Sequence, residues 1–444
     1  MFMESSARTR KVKNNVIGSL VIKGLSIVVQ LILVPLTLGY VSDELYGIWL
    51  TLSSIVVWLN FFDIGFTLGL KNRLAEAIAK EDYEKGKRLV STTYVLMAAI
   101  FIPLFCFGAL AVPHIDWPYW LKVDAGYLPE IQSTLYILLG CFCLQMITNV
   151  LGAVVAAFQQ VALSSLFPVI GNVASVAIIY VLTKTAPPSL MYLALAISIV
   201  PIVVVVVASA VLYSGAYRRV APALGYFDKR EIGSLFSLGG KFFLLQVQVV
   251  VLYQTTNFLI SFVSSPVTVT AYNIAYRYIG VAMMVFMIVL QPLWPAVTDA
   301  YTKGDFAWMK RVYRKMSLLY LLSSLAIVLL LLVSPLVYKV WIGGKAEVPF
   351  IMTAVVAIYV IVHTWDSLQV YIINGTGHIK LQVYVTLFGL IAHVPMSLLF
   401  GKYLGLGGLG VVLSMIVVNI VYASCFTLQI NKLLNNTAKG IWIA

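Results

Sequence analysis

From Ile131 to Thr183 the chain carries no charged residue. One helix over that stretch would be roughly twice the length needed to cross the ~30 Å hydrocarbon core of a bilayer. The segment must therefore fold back, and the polar interruption Phe158-Gln159-Gln160 marks the turn. Similar apolar runs recur from end to end. Of 444 residues, 61% are hydrophobic and 11% charged, and the mean hydropathy is +0.96. That is more apolar content than a soluble protein of this size buries. A transmembrane β-barrel would show alternating segments of about ten residues instead. The pattern predicts an all-α polytopic membrane protein.

Read between charges and Gly/Pro punctuation, the runs predict twelve transmembrane helices. They lie near residues 15–38, 43–66, 89–111, 131–157, 162–183 and 190–213, then 235–262, 267–292, 316–338, 349–373, 381–400 and 405–430. The net charge of +13 would suggest nucleic acid in a soluble protein, but here it is first a question of topology. Of 30 Lys and Arg, 22 fall on the side that holds both termini, five on the opposite side and three inside spans. That asymmetry predicts cytoplasmic termini and removes the argument for a nucleic-acid partner. The first apolar run is too long for a cleavable signal peptide. Cys106, Cys141, Cys143 and Cys425 lie in apolar segments as small hydrophobes and form no zinc pattern.

The chain contains an internal duplication. Ser19, Lys23 and Gln30 of span one recur at the same spacing as Ser237, Lys241 and Gln248 of span seven. Ala77, Lys80, Asp82, Lys87 and Arg88 match Ala300, Lys303, Asp305, Lys310 and Arg311 at a constant offset of 223. The motif A-x-x-K-x-D-x-x-x-x-K-R thus follows the second span of each half. Six spans per half is an even number, so the halves share one orientation. This predicts two six-helix lobes, residues 1–219 and 220–444, related by an axis along the membrane normal, with the substrate site between them.

Ionisable groups in hydrocarbon normally face a cavity or a partner. Lys23 and Arg277 lie near the middle of spans one and eight, and Lys241 about 10 Å into span seven. Ser19, Lys23, Ser26 and Gln30 form one polar stripe; Ser234, Ser237, Lys241, Gln248 and Thr255 form another. Asn273 and Arg277 share a face of span eight, Ser53, Asn60, Asp63 and Thr67 lie on span two, and Gln145 and Asn149 on span four. Two readings are open. The polar side chains are interhelical hydrogen bonds that hold the bundle together, or, with three cations among them, they line a hydrated cationic cavity. The substrate-binding candidates are Lys23, Lys241, Arg277, Gln30, Gln248, Asn60 and Asn273.

Asp63 and Asp366 fall toward the predicted cytoplasmic ends of spans two and ten, and Asp366 shares a face with His363 and Tyr359. These are candidates for ion or proton coupling, against plain ion pairing or interfacial placement. His393 stands alone in span eleven and is expected to bond a neighbouring helix, while His114 and His378 show no partner pattern. The loop from Val112 to Glu130 carries Trp117, Tyr119 and Trp120, either an interfacial belt or a platform for a sugar face. Prolines 103, 168, 201, 292, 295 and 395 lie in or at the ends of spans and can bend them. Neither a phosphate-binding loop nor a hydrolase or metalloprotease motif occurs. The short outer loops leave no room for a catalytic domain. No enzyme, cofactor or metal is expected.

Several short segments resemble one family. Asn14-Asn15 precedes span one, Leu45-Tyr46-Gly47-Ile48-Trp49 opens span two, and Phe62-Asp63-Ile64-Gly65-Phe66 and Asn72-Arg73-Leu74-Ala75 follow. Ala271-Tyr272-Asn273-Ile274-Ala275 holds the corresponding place in span eight. Together they resemble the Wzx-type polysaccharide-transport flippases of the MOP superfamily, over most of the chain. The resemblance implies two facing six-helix lobes in the bacterial inner membrane. It also implies alternating-access export of undecaprenyl-pyrophosphate-linked glycan to the outer leaflet, through a cavity made cationic by Lys23, Lys241 and Arg277. Membrane lipids, a polysaccharide polymerase and glycosyltransferases are the partners it suggests. A MATE-type drug/cation antiporter is the alternative, although that function calls for acidic rather than basic groups deep in the cavity.

Overall fold

The computed structural model describes residues 21–22, 24–59, 66–158, 160–233, 235, 255–290 and 293–443. The chain divides into two compact units, Met1–Val250 and Val251–Ala444. Among the described residues there is no β-strand. Among these residues nine helices are long and apolar enough to cross a membrane, and they coincide with predicted spans three to six and eight to twelve. The protein is a multi-pass α-helical membrane protein.

The first unit contains α1 (Gly24–Tyr40), α2 (Asp43–Val57), α3 (Phe66–Ala79), α4 (Tyr83–Ala111) and α5 (Trp117–Leu121). It continues with α6 (Leu128–Thr148), α7 (Val150–Ala157), α8 (Val161–Thr185) and α9 (Leu190–Ser214). Its core packs Leu70, Leu74, Leu89, Met97, Phe101 and Val154 among α3, α4 and α7. The turn expected at 158–160 is present: α7 ends at Ala157 and α8 starts at Val161. Tyr217 clasps this joint, stacking on Phe158 with 4.6 Å between ring centres and donating its hydroxyl to Gln160 Oε1 at 3.0 Å. Burial pushes the Tyr217 phenol pKa above its ordinary value.

Predicted span four is present as one helical run, Ala125–Ala157, with a tightened turn at Asn149 where α6 passes into α7. There the Gly152 amide bonds Asn149 O at 2.9 Å, an i to i+3 contact that tightens the turn. At the opposite end of the unit, Glu130 Oε1 accepts from the first amide of α9, Leu190, at 2.6 Å, and the Tyr40 hydroxyl donates to Pro187 O at 2.8 Å. α8 and α9 approach closely because Gly171 faces the Pro201 backbone; a Cβ there would sit 2.6 Å from Pro201 Cα.

The second unit contains α10 (255–263), α11 (Pro266–Leu290), α12 (Leu293–Thr302), α13 (Phe306–Trp341), α14 (Phe350–Thr376), α15 (Lys380–Leu398) and α16 (Gly407–Leu434). A π-helical turn, Leu399–Tyr403, extends α15. α14 and α16 are the most enclosed helices, and Leu368, Ile372, Tyr422, Phe426 and Ile430 pack between them and their neighbours.

The duplicated motif has a structural cause. Asp82 caps α4 and Asp305 caps α13, each accepting from the amide three residues on, Lys85 and Trp308, both at 2.9 Å. The Asp82 and Asp305 amides in turn bond Ala77 O and Ala300 O, both at 2.9 Å. The residue before each Asp is left-handed, Glu81 at φ 58° and Gly304 at φ 70°. The repeated Ala and Asp therefore encode one helix–turn–helix joint, built twice with the same bonds.

Candidate functional site

Five of the ten candidates, Lys23, Asn60, Asp63, Lys241 and Gln248, lie outside the described residues. Gln30 is half-buried on α1 in the first unit. The other four, Asn273, Arg277, His363 and Asp366, all belong to the second unit.

Arg277 and Asn273 lie one turn apart near the centre of α11, both half-buried. The Asn273 amide donates to Asn257 Oδ1 of α10 at 2.8 Å and to Val269 O at 2.9 Å. Asn273 thus joins two helices, as the bundle-holding reading anticipates for such residues. Arg277 follows eleven residues after Pro266, about 17 Å along the helix axis, far from either end.

The same stretch of α11 begins an aromatic ladder. Tyr272 stacks on Tyr276 (5.9 Å between ring centres), Tyr276 meets Tyr359 of α14 (6.2 Å), and Tyr359 stacks on His363 (5.5 Å, planes 12° apart). His363 Nδ1 lies 3.0 Å from Asn419 Oδ1 of α16, and the Asn419 amide donates to Met415 O at 2.8 Å. The ladder therefore connects α11, α14 and α16.

Asp366 is one turn beyond His363. It is 3% exposed, and neither carboxyl oxygen has a hydrogen-bond partner among the described residues. Tyr320 and Tyr422 lie within its electrostatic reach. It also lies deeper than expected. α14 continues to Thr376 and closes on left-handed Gly377 at φ 79°, so Asp366 is ten residues, about 15 Å, from the helix end. An isolated carboxylate in such surroundings is too costly to persist.

Two other histidines are partnered. His393 Nδ1 lies 2.9 Å from Ser414 Oγ of α16, the expected bond to a neighbouring helix. His378, which shows no partner pattern in the sequence, has Tyr301 Oη 2.6 Å from its Nε2. In the aromatic loop, Trp117 is buried and donates to Val112 O at 2.8 Å. Tyr119 and Trp120 stand exposed, edge to face at 5.5 Å. Among the described residues no group of three or more His, Cys, Asp or Glu could hold a metal ion.

The family model described as "Polysaccharide biosynthesis protein" matches residues 12–300. The chain belongs to that family. A candidate O-antigen transporter of Salmonella typhi is 23% identical over 291 residues, 64% of this chain and 64% of its own length, so the matched stretch spans less than two thirds of that relative. A candidate O-antigen transporter of Salmonella typhimurium is 21% identical over 87% of this chain and 89% of its own length. A candidate O-antigen export protein of Yersinia pseudotuberculosis is 19% identical over 80% and 81%.

Among solved structures, an inward-facing multidrug-resistance MATE transporter of the MOP superfamily matches with a TM-score of 0.77. It is 14% identical, and the match covers 93% of this chain and 95% of that one. The lipid II flippase MurJ, inward closed, matches with a TM-score of 0.69 at 14% identity, over 93% and 87%. This protein has the MOP-type fold. The relatives are named for transport and export.

Proposed function

We propose that this family member flips lipid-linked oligosaccharide, an undecaprenyl-pyrophosphate glycan, from the cytoplasmic to the outer leaflet of a bacterial inner membrane. The observation that carries the reading is the family match together with relatives named for O-antigen transport and export. In this reading residues 1–219 and 220–444 act as two six-helix lobes with both termini cytoplasmic, and they alternate access to a cationic cavity. Lys23, Lys241 and Arg277 attract the pyrophosphate. Arg277 supplies a bidentate fork and the lysines point charges. Gln30, Gln248, Asn60 and Asn273 hydrogen-bond glycan or hydrate the cavity. Polymerase and glycosyltransferases act at either end of the same route.

Coupling is assigned to Asp366, with His363 and Asp63 as the accompanying candidates. A carboxyl that is deep and unpartnered among the described residues exchanges a proton or cation as its surroundings change. The same observation favours a second reading, drug/cation antiport of the MATE type, in which Asp366 serves the drug cycle.

The test is complementation of a deletion strain. Arg277→Ala and Lys23→Ala are expected to insert normally but to lose surface glycan, with lipid-linked units accumulating on the cytoplasmic leaflet. Arg277→Lys should retain part of the activity. Full surface glycan in both alanine variants refutes the cationic cavity. Unchanged outer-leaflet glycan in the deletion strain, with drug susceptibility increased, would favour antiport.

A further inference from the structure

Between α11 and α13 lies a cavity of about 560 Å³ lined by Val281, Val285, Val289, Leu319, Ala326, Leu330 and neighbouring apolar side chains. Ser323 is the polar exception among the lining residues. The outer face of α13 is equally apolar: Leu318, Leu321, Leu325, Leu332 and Leu336 are each at least 57% exposed. A wall of this kind in a membrane protein is solvated by lipid chains. What distinguishes the groove is its basic end. Leu319, Ser323, Ala326, Leu330 and Val333 follow one stripe of α13, at i, i+4, i+7, i+11 and i+14. Continued backward, that stripe meets Lys315 and then Arg311. Both are exposed, and no acidic side chain pairs with either among the described residues.

We propose that this groove is a binding site for an anionic glycerophospholipid, its phosphate held by Arg311 and Lys315 and one acyl chain lying between α11 and α13. Charge complementarity names the head. Basic pockets between transmembrane helices select acidic lipid headgroups, and Arg is suited to grip a phosphate through two bonds. Length names the tail. The lining runs eight residues along α11 and fourteen along α13, about 12 and 21 Å. One leaflet is half of the ~30 Å hydrocarbon core, so the groove matches a chain confined to a single leaflet and is short for a polyprenyl tail. Lys310 belongs to the same charge cluster but at ~100° per residue lies on the face opposite the lining stripe, which makes it an internal control, whereas Arg314 is the i+3 neighbour of Arg311.

The site is tested by native mass spectrometry of the full chain in detergent doped with equal phosphatidylglycerol and phosphatidylcholine. Phosphatidylglycerol should be retained preferentially. Arg311→Gln or Lys315→Gln should each lower retention about fivefold, and the pair about 25-fold. Val285→Trp, which fills the groove without changing charge, should lower it as well, whereas Lys310→Gln should leave it unchanged. The proposal is overturned by equal retention of the two lipids. It is equally overturned if Lys310→Gln lowers retention as much as Arg311→Gln or Lys315→Gln, or if a polyprenyl phosphate displaces phosphatidylglycerol one for one. None of these outcomes depends on which substrate the transporter carries.

Discussion

Replacing Asp366 by Asn separates its proposed role in coupling from its role in the fold. The side chain is 3% exposed and has no hydrogen-bond partner among the described residues. Removing one member of a buried ion pair costs about 3–5 kcal/mol because the other charge is stranded. At Asp366 no bond among the described residues is lost, and Asn is nearly isosteric and neutral. The stability change should therefore stay within about 1 kcal/mol. Function should change much more. Each elementary charge carried across the membrane supplies about 2.3 kcal/mol per 100 mV, roughly a 50-fold bias in distribution. The assay is flipping of a fluorescent lipid-linked oligosaccharide in proteoliposomes, with and without an imposed potential. Wild type should show a potential-dependent bias of that order. Asp366→Asn should unfold at the same temperature, exchange substrate down its gradient and show no bias. A variant that keeps the full bias refutes coupling through Asp366, and one that fails to fold shows that the carboxyl has a structural partner.

Other consequences follow from the packing. Asp82→Ala and Asp305→Ala should each lower stability by about 1 kcal/mol in thermal unfolding of the purified protein, because each removes an equivalent helix cap; a large effect at one position alone would refute the structural equivalence. Gly171→Ala should destabilise by about 1–3 kcal/mol through the clash with Pro201, whereas Gly280→Ala, which meets nothing within 4 Å, should be neutral or stabilising by up to about 1 kcal/mol. Asn273→Ala removes the partner of Asn257 and should cost about 0.6–2 kcal/mol, read in the same assay; no loss would place Asn273 among the groups that serve substrate alone.

Predicted spans three to six and eight to twelve were legible because unbroken apolar runs of bilayer length leave helix as the only membrane-spanning solution. Their joints were legible where polarity interrupts a run, as at Phe158-Gln159-Gln160. The tightened turn at Asn149 was not, because it rests on one i to i+3 amide bond within an apolar segment. Asp366 was recognised as a candidate, but its depth depends on how far α14 continues, which the left-handed cap at Gly377 decides. Tyr272 and Tyr276 carry the ladder, yet tyrosines in an apolar run read as ordinary lining. Their spacing of four, matched by Tyr359 and His363, is the signal that could have paired them. The bond between Tyr301 and His378 joins residues 77 apart, and no local pattern announces such a contact.

The duplication separates scaffold from chemistry. The joints at Asp82 and Asp305 keep the same capping bonds, and α4 and α13 begin 223 residues apart, at Tyr83 and Phe306. α6 and α14 begin at Leu128 and Phe350, within one residue of that offset. Carried along these helices, the offset of 223 sets Asp366 against Cys143 and His363 against Gly140. Cys143 is buried in the apolar core of the first unit beside Met97, Phe101 and Met146. A carboxyl there would meet only hydrocarbon. The joint is repeated in both halves, while the acid and its stacked histidine are replaced by Cys143 and Gly140 at the aligned positions of the first. Under the proposed reading, an exchange at Asp366 has no counterpart at the aligned position Cys143, so the halves stay alike where the helices turn and differ at the proposed coupling position.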